Sequence, residues 1–514
     1  MEGSGRREEC RTFTEASLGR EALEMNRVVK ILLILVITAS AILRLYRIDT
    51  DLLFHYDQGL HALGIWNIWH DHHFVLLGHP TDVEGVFHGA FFYYFLAPVY
   101  ALFRGDPVGV SMFMVILDVV GIFFLFKTAK KLFKSDLAGL IAAIIWGFSL
   151  LTISYSRWVS NVTPISFFAI LFYFFLVKIE MEKKNYLWPL ATLTAGIIIQ
   201  LNGAIGFFFV PLMAVLFFRQ RNYFLENKKI FSISVGTFLV PSIPLFLFDL
   251  RHSFLVTKSI VKMVFGTNGL GISSKVGDSL GVLSREIVNF FSYGNNLFTG
   301  VVIGSTVVGV ILLLRKKEKG IRFLVLIFVI PLVGLLFYKR GTADFFYLGI
   351  LPLVVLFTAG SFSYFIKKPM FILPAIIILF LFAKFNISND LKFFSEPSHA
   401  LIPIGTNSLI TLEDRKKAVD FVYTKAEGKP FGLWIYTIPY FKDEPWDYVF
   451  LWYGQSKYGY LPSKSTERVM FDLWERDPDA GYRLDEWKKK AEKDLGVVVA
   501  SDKYHDVNVE ERIK

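Results

Sequence analysis

The sequence predicts an α-helical polytopic membrane protein with about eleven transmembrane helices and a small C-terminal α/β ectodomain. Three observations carry this. Of 514 residues, 54% are hydrophobic and 19% charged, and the mean hydropathy is +0.47. A soluble core of that length cannot enclose so much apolar surface, so lipid has to solvate part of it. Basic clusters follow every second apolar run, and after about residue 386 the composition turns to that of a soluble domain.

Residues 1–26 are polar and mixed in charge, and read as a disordered cytoplasmic N-terminus. The apolar run that follows is long enough to span rather than to serve as a cleaved signal. The only cysteine is Cys10, so there is no disulfide framework and no thiolate metal site. The net charge of +10 reads as topology rather than as a nucleic-acid footprint.

A span needs about 20 apolar residues. The candidates are 28–45, 107–126, 137–155, 162–179, 186–200, 203–218, 230–248, 298–314, 323–338, 345–365 and 370–385. Lys127–Lys134 follow the second of these, Lys178–Lys184 the fourth, Arg219–Lys229 the sixth, Arg315–Arg322 the eighth and Lys367–Lys368 the tenth. The positive-inside rule puts these loops in the cytoplasm with the N-terminus. The alternate loops, 46–106 and 249–297 among them, then face outward, and 27–386 forms the transmembrane domain.

Residues 87–103 are apolar enough to span, but a span there would invert every later loop. Tyr93, Tyr94, Pro98 and Tyr100 suit an interfacial helix instead. A second juxtamembrane helix is expected at about 58–70, anchored by Trp66 and Trp69. Residues 387–514 read as the extracytoplasmic α/β domain. There Thr411 opens a helix to about Ala426, Glu427–Pro430 turn, Phe431–Thr437 form a strand, and Leu484–Leu495 form a helix. Trp434, Trp446, Trp452, Tyr453 and Tyr458 could stack on sugar rings, although a small domain's core is the plainer use for them.

With this topology, polar groups gather at outer span ends. Asp57 and His88 lie in the first outer loop, and Arg157 with Asn161 follows the third span. Asp249, Arg251 and His252 end the seventh. Lys339 and Arg340 end the ninth, and Asp344 and Tyr347 begin the tenth. Arginine binds phosphate oxygens bidentately, and a nearby carboxylate can take a proton from an acceptor hydroxyl. Arg157, Arg251, Lys339 and Arg340, helped by His88 and His252, are the expected phosphate and donor ligands. Asp57 is the expected base; Gln58, Asn161, Asp249, Asp344 and Tyr347 are expected to line the pocket. Each cation taken singly reads more plainly as snorkelling to the interface; it is the set, with Asp57 opposite, that points to function. His70, His73 and Asp57 could hold a divalent metal, but their spacing matches no metal motif and solvated histidines are the plainer reading. Asp118, in the middle of the second span, needs a partner there and is expected in helix packing.

The single span before the Asp57 loop, Phe87-His88-Gly89, Gly105-Asp106-Pro107, Lys130-Lys131-Leu132-Phe133, Ser156-Arg157-Trp158 and Phe248-Asp249-Leu250-Arg251-His252 together form a familiar layout. Over roughly 28–360 it resembles the GT-C superfamily of polytopic glycosyltransferases, which includes protein O-mannosyltransferases and aminoarabinose transferases, and within it the RgtA/B/C/D-like branch. The resemblance implies a GT-C-like fold in the plasma membrane. It also implies transfer of a sugar from a polyprenyl-phosphate donor to a lipid, glycan or protein acceptor on the outer face, with Asp57 catalytic. The family's usual Asp-Glu pair is Asp57-Gln58 here, which leaves Asp57 alone for base work and weakens a metal-dependent route. Two rival readings are a lipid-linked glycan ligase or polymerase and a transporter or flippase with an ectodomain. The absence of a visible internal repeat counts against the transporter.

Overall fold

The computed structural model describes residues 27–513, apart from 82, 266–275, 337, 339–341, 396–409 and 466. The expected disordered segment 1–26 lies outside the described residues. Helix α1 (Arg27–Leu45) leads into α2 (Tyr56–Trp69), the hairpin β1 (Leu77–Pro80) and β2 (Phe87–Gly89), and α3 (Phe91–Leu102). Both helices expected in loop 46–106 are therefore present, joined by a short hairpin. The long α4 (Pro107–Phe133) starts sharply because Asp106 accepts the Val108 amide at 2.9 Å and Pro107 fills the first turn.

The next elements are α5 (Asp136–Phe148), α6 (Leu150–Arg157), α7 (Ile165–Glu182), α8 (Trp188–Leu201), α9 (Gly203–Phe207) and α10 (Phe209–Arg219). After these come α11 (Lys228–Leu239), α12 (Ile243–Arg251), α13 (Leu255–Phe265), α14 (Val276–Ser292), α15 (Asn296–Arg315), α16 (Lys319–Leu336), α17 (Leu351–Ile366) and α18 (Pro369–Ser395). Among the described residues six helices are long and apolar enough to cross a bilayer, or seven if the bent pair α5–α6 is one span. Each of the eleven expected spans falls on a helix or a pair of consecutive helices. The remaining expected spans stay below that threshold because α8, α10 and α17 are short and α7 ends in Lys178, Glu180 and Glu182.

The third expected span is broken, with a 59° bend between α5 and α6. A break at membrane depth frees backbone groups that lipid cannot satisfy. Side chains satisfy them here. Arg44 donates to Gly147 O at 2.7 Å, Thr152 Oγ1 donates to Trp146 O at 2.7 Å, and the Leu150 amide donates to Asn386 Oδ1 at 3.0 Å. Arg44 Nε also donates to Asp118 Oδ2 at 2.8 Å, and Trp146 Nε1 to Asp118 Oδ1 at 2.9 Å. The mid-span carboxylate thus has its partner in α1. Asn386 marks a correction as well. The expected domain boundary between 386 and 387 falls inside α18, which continues to Ser395, and Asn386 is fully buried against this break.

From residue 410 the chain forms α19 (Leu412–Ala426), β3 (Gly432–Tyr436), α20 (Glu444–Val449), β4 (Val469–Glu475), α21 (Gly481–Leu495), β5 (Val497–Tyr504) and β6 (Val507–Ile513). The sheet order is β3-β4-β6-β5; β3 and β4 are parallel and the other pairs antiparallel. Thr411 and Asp414 cap α19 reciprocally. Trp446 is fully buried, so it serves the core. There Arg415 lies 4.5 Å over its ring and pairs with Glu475 at 2.9 Å.

This unit is fastened to the first loop. Leu412 donates to Leu52 O at 2.8 Å, Arg415 Nε to Phe54 O at 2.8 Å, and Trp452 Nε1 to Arg104 O at 3.1 Å. Gly105, at φ +88°, offers its carbonyl to Tyr448 Oη at 2.5 Å. The start of α2 is therefore clamped from the side of the C-terminal unit.

Candidate active site

The clamp places the first turn of α2. Gln58 Oε1 accepts the His55 amide at 2.8 Å, and Gln58 Nε2 donates to Val159 O at 3.5 Å. Gln58 is buried, so it works as a cap and as a strut to the loop after α6. Asp57, beside it, is half-buried, and its carboxylate has no hydrogen-bond or ion-pair partner among the described residues. Burial raises its pKa above the usual carboxylate value.

One helical turn on from Asp57 stands His61. Its ring lies 4.7 Å from His79, and His79 lies 4.2 Å from His88, centroid to centroid. Burial, then the neighbouring histidines, lower all three: His79 to about 3, His88 to about 4, and His61 well below its ordinary value. They are neutral near pH 7. Asn161 bonds His61 and also donates to Leu201 O at 2.5 Å, the carbonyl that His88 shares. Gly89 leaves no room for a β-carbon against Gln200 Oε1, which packs the hairpin onto the end of α8. His61, His79, His88, Asn161 and Gln200 therefore belong to one polar seam between the first loop and the helix bundle, with Asp57 one helical turn before His61.

The other expected residues fall into two groups. Phe248 packs on Phe87 at 5.9 Å, which brings the end of α12 to the hairpin beside His88. There Arg251 is exposed, and His252 stacks on Phe248 at 3.9 Å and bonds its carbonyl at 2.8 Å. Asp249 is occupied locally: it accepts the Val256 amide at 2.7 Å and so caps α13. In the second group Asp344 pairs with Arg285 at 3.0 Å, and buried Tyr347 donates to Ser279 O at 2.8 Å. Glu286 lies beside them, pushed up to about 7 by burial and by Asp344. Arg157 is buried and donates to Arg47 O at 3.2 Å, tying the end of α6 to the turn after α1. Lys339 and Arg340 lie outside the described residues.

Among the described residues no group of three or more His, Cys, Asp or Glu is placed to hold a metal ion. His70 stacks on Trp66 at 4.2 Å and bonds Asp71 at 2.7 Å. Gln200, Arg285, Glu286 and His61 are not among the expected site residues, His61 being visible only as one of several histidines in the first outer loop. Of these only His61 carried a signal, its spacing of one turn from Asp57.

Residues 88–248 match the family model for dolichyl-phosphate-mannose-protein mannosyltransferase, a segment that begins at His88 and leaves Asp57 ahead of it. No curated protein matches the sequence. Among solved structures, the fold is similar to ArnT from Cupriavidus metallidurans bound to undecaprenyl phosphate, at 11% identity and a TM-score of 0.59. That match covers 93% of this chain and 97% of that one. The same protein in its apo state gives 12% identity, the same coverage and a TM-score of 0.58. The Archaeoglobus fulgidus oligosaccharyltransferase in its apo form matches at 13% identity and a TM-score of 0.48, over 81% of this chain and 63% of that one. The family model thus covers residues 88–248, and the fold of the chain is similar to that of ArnT over 93% of its length.

Proposed function

We propose that this GT-C-like chain is a membrane glycosyltransferase that moves a sugar from a polyprenyl-phosphate donor to an acceptor hydroxyl at the outer face of the plasma membrane. The observation that carries the reading is Asp57: an unpartnered, half-buried carboxylate held at the mouth of a polar seam by a cap, a strut and a clamped loop. The fold is similar over 93% of the chain to a protein solved with undecaprenyl phosphate bound, which favours a lipid-phosphate donor.

Asp57 takes the proton of the acceptor hydroxyl as its oxygen bonds to the anomeric carbon. The bond from that carbon to the phosphate oxygen breaks, and the polyprenyl phosphate leaves with the electron pair. Inversion is the family expectation. Arg251, at the rim beside the hairpin, acts with Arg157, Lys339 and Arg340 to offset the phosphate charge. Neutral His88 donates or accepts a hydrogen bond there, and His252 assists. Asp344 and Tyr347 tie the segment before α17 to α14. The N-terminus is cytoplasmic and the C-terminal unit lies outside.

The test is transfer by purified, reconstituted protein offered polyprenyl-phosphate sugars and membrane extract, with wild type compared to Asp57→Asn. A loss of about a hundredfold or more is expected for removal of a general base. Equal activity of the two proteins would take Asp57 out of the chemistry, and substrate flux without transfer would favour a transporter.

A further inference from the structure

A cleft of about 970 Å³ opens in the C-terminal unit at the free edge of β3, between α20 and α21. That is the upper end of the roughly 300–1,000 Å³ common for small-ligand sites, with room for a short chain of rings. We propose that this cleft binds an uncharged oligosaccharide, and that this glycan is the acceptor whose end is presented to Asp57. The second half of the proposal rests on the transferase reading; the first does not.

The lining decides the ligand class. Trp434, Tyr440, Phe441 and Trp487 supply aromatic surface, and Phe441 is 78% exposed although it is a large apolar side chain. Flat aromatic faces suit the C–H faces of pyranose rings, and Phe441, packed against the Tyr440 ring at 3.9 Å, keeps most of its surface open at the cleft rim. Between the aromatics stand Asp443, Asp447 and Glu486, matched by Lys464, Arg483 and Lys490. Three carboxylates against three cations leave the cleft neutral, which disfavours an anionic lipid or a polyanionic polymer. Such a mixed lining offers both acceptors and donors, as vicinal hydroxyls require. Among the described residues the Trp434 indole N–H is buried without an acceptor, and beyond the single bridge from Gly432 to Ser463 the outer edge of β3 pairs with no other strand.

The position links the cleft to the chemistry. Leu63 of α2 forms part of its wall. Tyr56 and Leu63 are seven residues apart and share a helix face. Lys442, next to the rim residue Phe441, lies 4.9 Å over the Tyr56 ring, and Tyr56 directly precedes Asp57. A glycan lying along the cleft can thus end at the first turn of α2.

Binding is measured without donor, on full-length protein in nanodiscs, from the quench of tryptophan fluorescence by neutral trisaccharides of glucose, mannose, galactose and N-acetylglucosamine. The variants Phe441→Ala and Asp447→Asn alter the rim and one carboxylate, and Asp57→Asn serves as control; thermal unfolding confirms that each is folded. The expected result is saturable binding of at least one trisaccharide, weakened about tenfold or more by each cleft variant and unchanged in Asp57→Asn. Binding that persists when no variant transfers sugar would keep the cleft and sink the transferase reading. No binding by any trisaccharide, binding indifferent to the cleft variants, or saturable binding of Ser/Thr peptides alone would overturn the proposal, whatever transfer shows.

Discussion

Gly59 and Pro445 touch through their backbones: a β-carbon on Gly59 would collide with the Pro445 nitrogen. Here α2, which carries Asp57, meets α20 of the C-terminal unit. The neighbour is backbone and cannot yield, so Gly59→Ala is expected to cost about 1–3 kcal/mol through overpacking. It should also lower sugar transfer by shifting the first turn of α2. Gly236→Ala is the matched control, because a β-carbon there meets nothing within 4 Å. In mid-helix that change should be neutral or stabilising by about 0.5–1 kcal/mol. Thermal unfolding in detergent separates the two; equal effects would show that the Gly59 contact does not constrain α2.

Asp57 gives a second prediction, in which function and stability oppose each other. Its pKa is raised by burial, so folding favours the protonated acid. The stability this lends is present below the ordinary carboxylate pKa and is lost as pH rises through the raised value. Asp57→Asn should therefore melt higher than wild type at neutral pH while losing activity. A general base must be ionised, so kcat/KM of wild type should fall as pH drops through the same raised value. A variant that melts lower than wild type at pH 7 would contradict the desolvated carboxylate.

The histidine cluster predicts the opposite trend. His79 and His88 have folded values of about 3 and 4, against an ordinary 6.5. Between those limits the unfolded chain binds more protons, so stability is complete above about pH 6.5 and declines as pH falls toward 4. Each histidine contributes at most about 1.4 kcal/mol per pH unit. Unfolding followed from pH 7 to pH 5 should show a falling midpoint, and His79→Asn should flatten the slope. An unchanged slope in that variant would mean that His79 is already charged in the folded protein.

Much of this architecture was legible in the sequence, because apolar length and basic loops act locally. The helix openings at Pro107 and Leu412 follow from Asp106 and Thr411, whose capping oxygens reach amides two or three residues away. The break after Phe148 was not legible, since the groups that heal it, Arg44 and Asn386, come from over a hundred residues away on either side. For the same reason the transmembrane domain read as ending at 386, inside α18. In the site, Asp57 stood out by its place after the first span. Asp249 read as a pocket residue because a carboxylate beside Arg251 looks the same in sequence whether it lines a cavity or caps the next helix. The clustering of His61 with His79 and His88 depends on a hairpin folding back over α2, which no local pattern encodes.

Arg44 and Asp118 supply the last prediction. The carboxylate accepts from Arg44 and from Trp146, and the guanidinium also reaches Ser40, Gly147 and Thr152. Arg44 therefore does two things at once: it neutralises a mid-span acid and holds a carbonyl freed by the α5–α6 break. Asp118→Leu leaves a buried guanidinium without its counter-ion and should cost about 3–5 kcal/mol. Arg44→Met should cost at least as much, because it strands the carboxylate and uncaps Gly147. The double variant removes both charges, but the Gly147 carbonyl stays unsatisfied. Its loss should lie below the sum of the single losses and above zero. A double-mutant cycle on unfolding in detergent reads this directly. Full recovery in the double variant would mean that Arg44 serves only the ion pair; additive losses would mean that the pair is not coupled and that the break is held by Thr152 and Asn386.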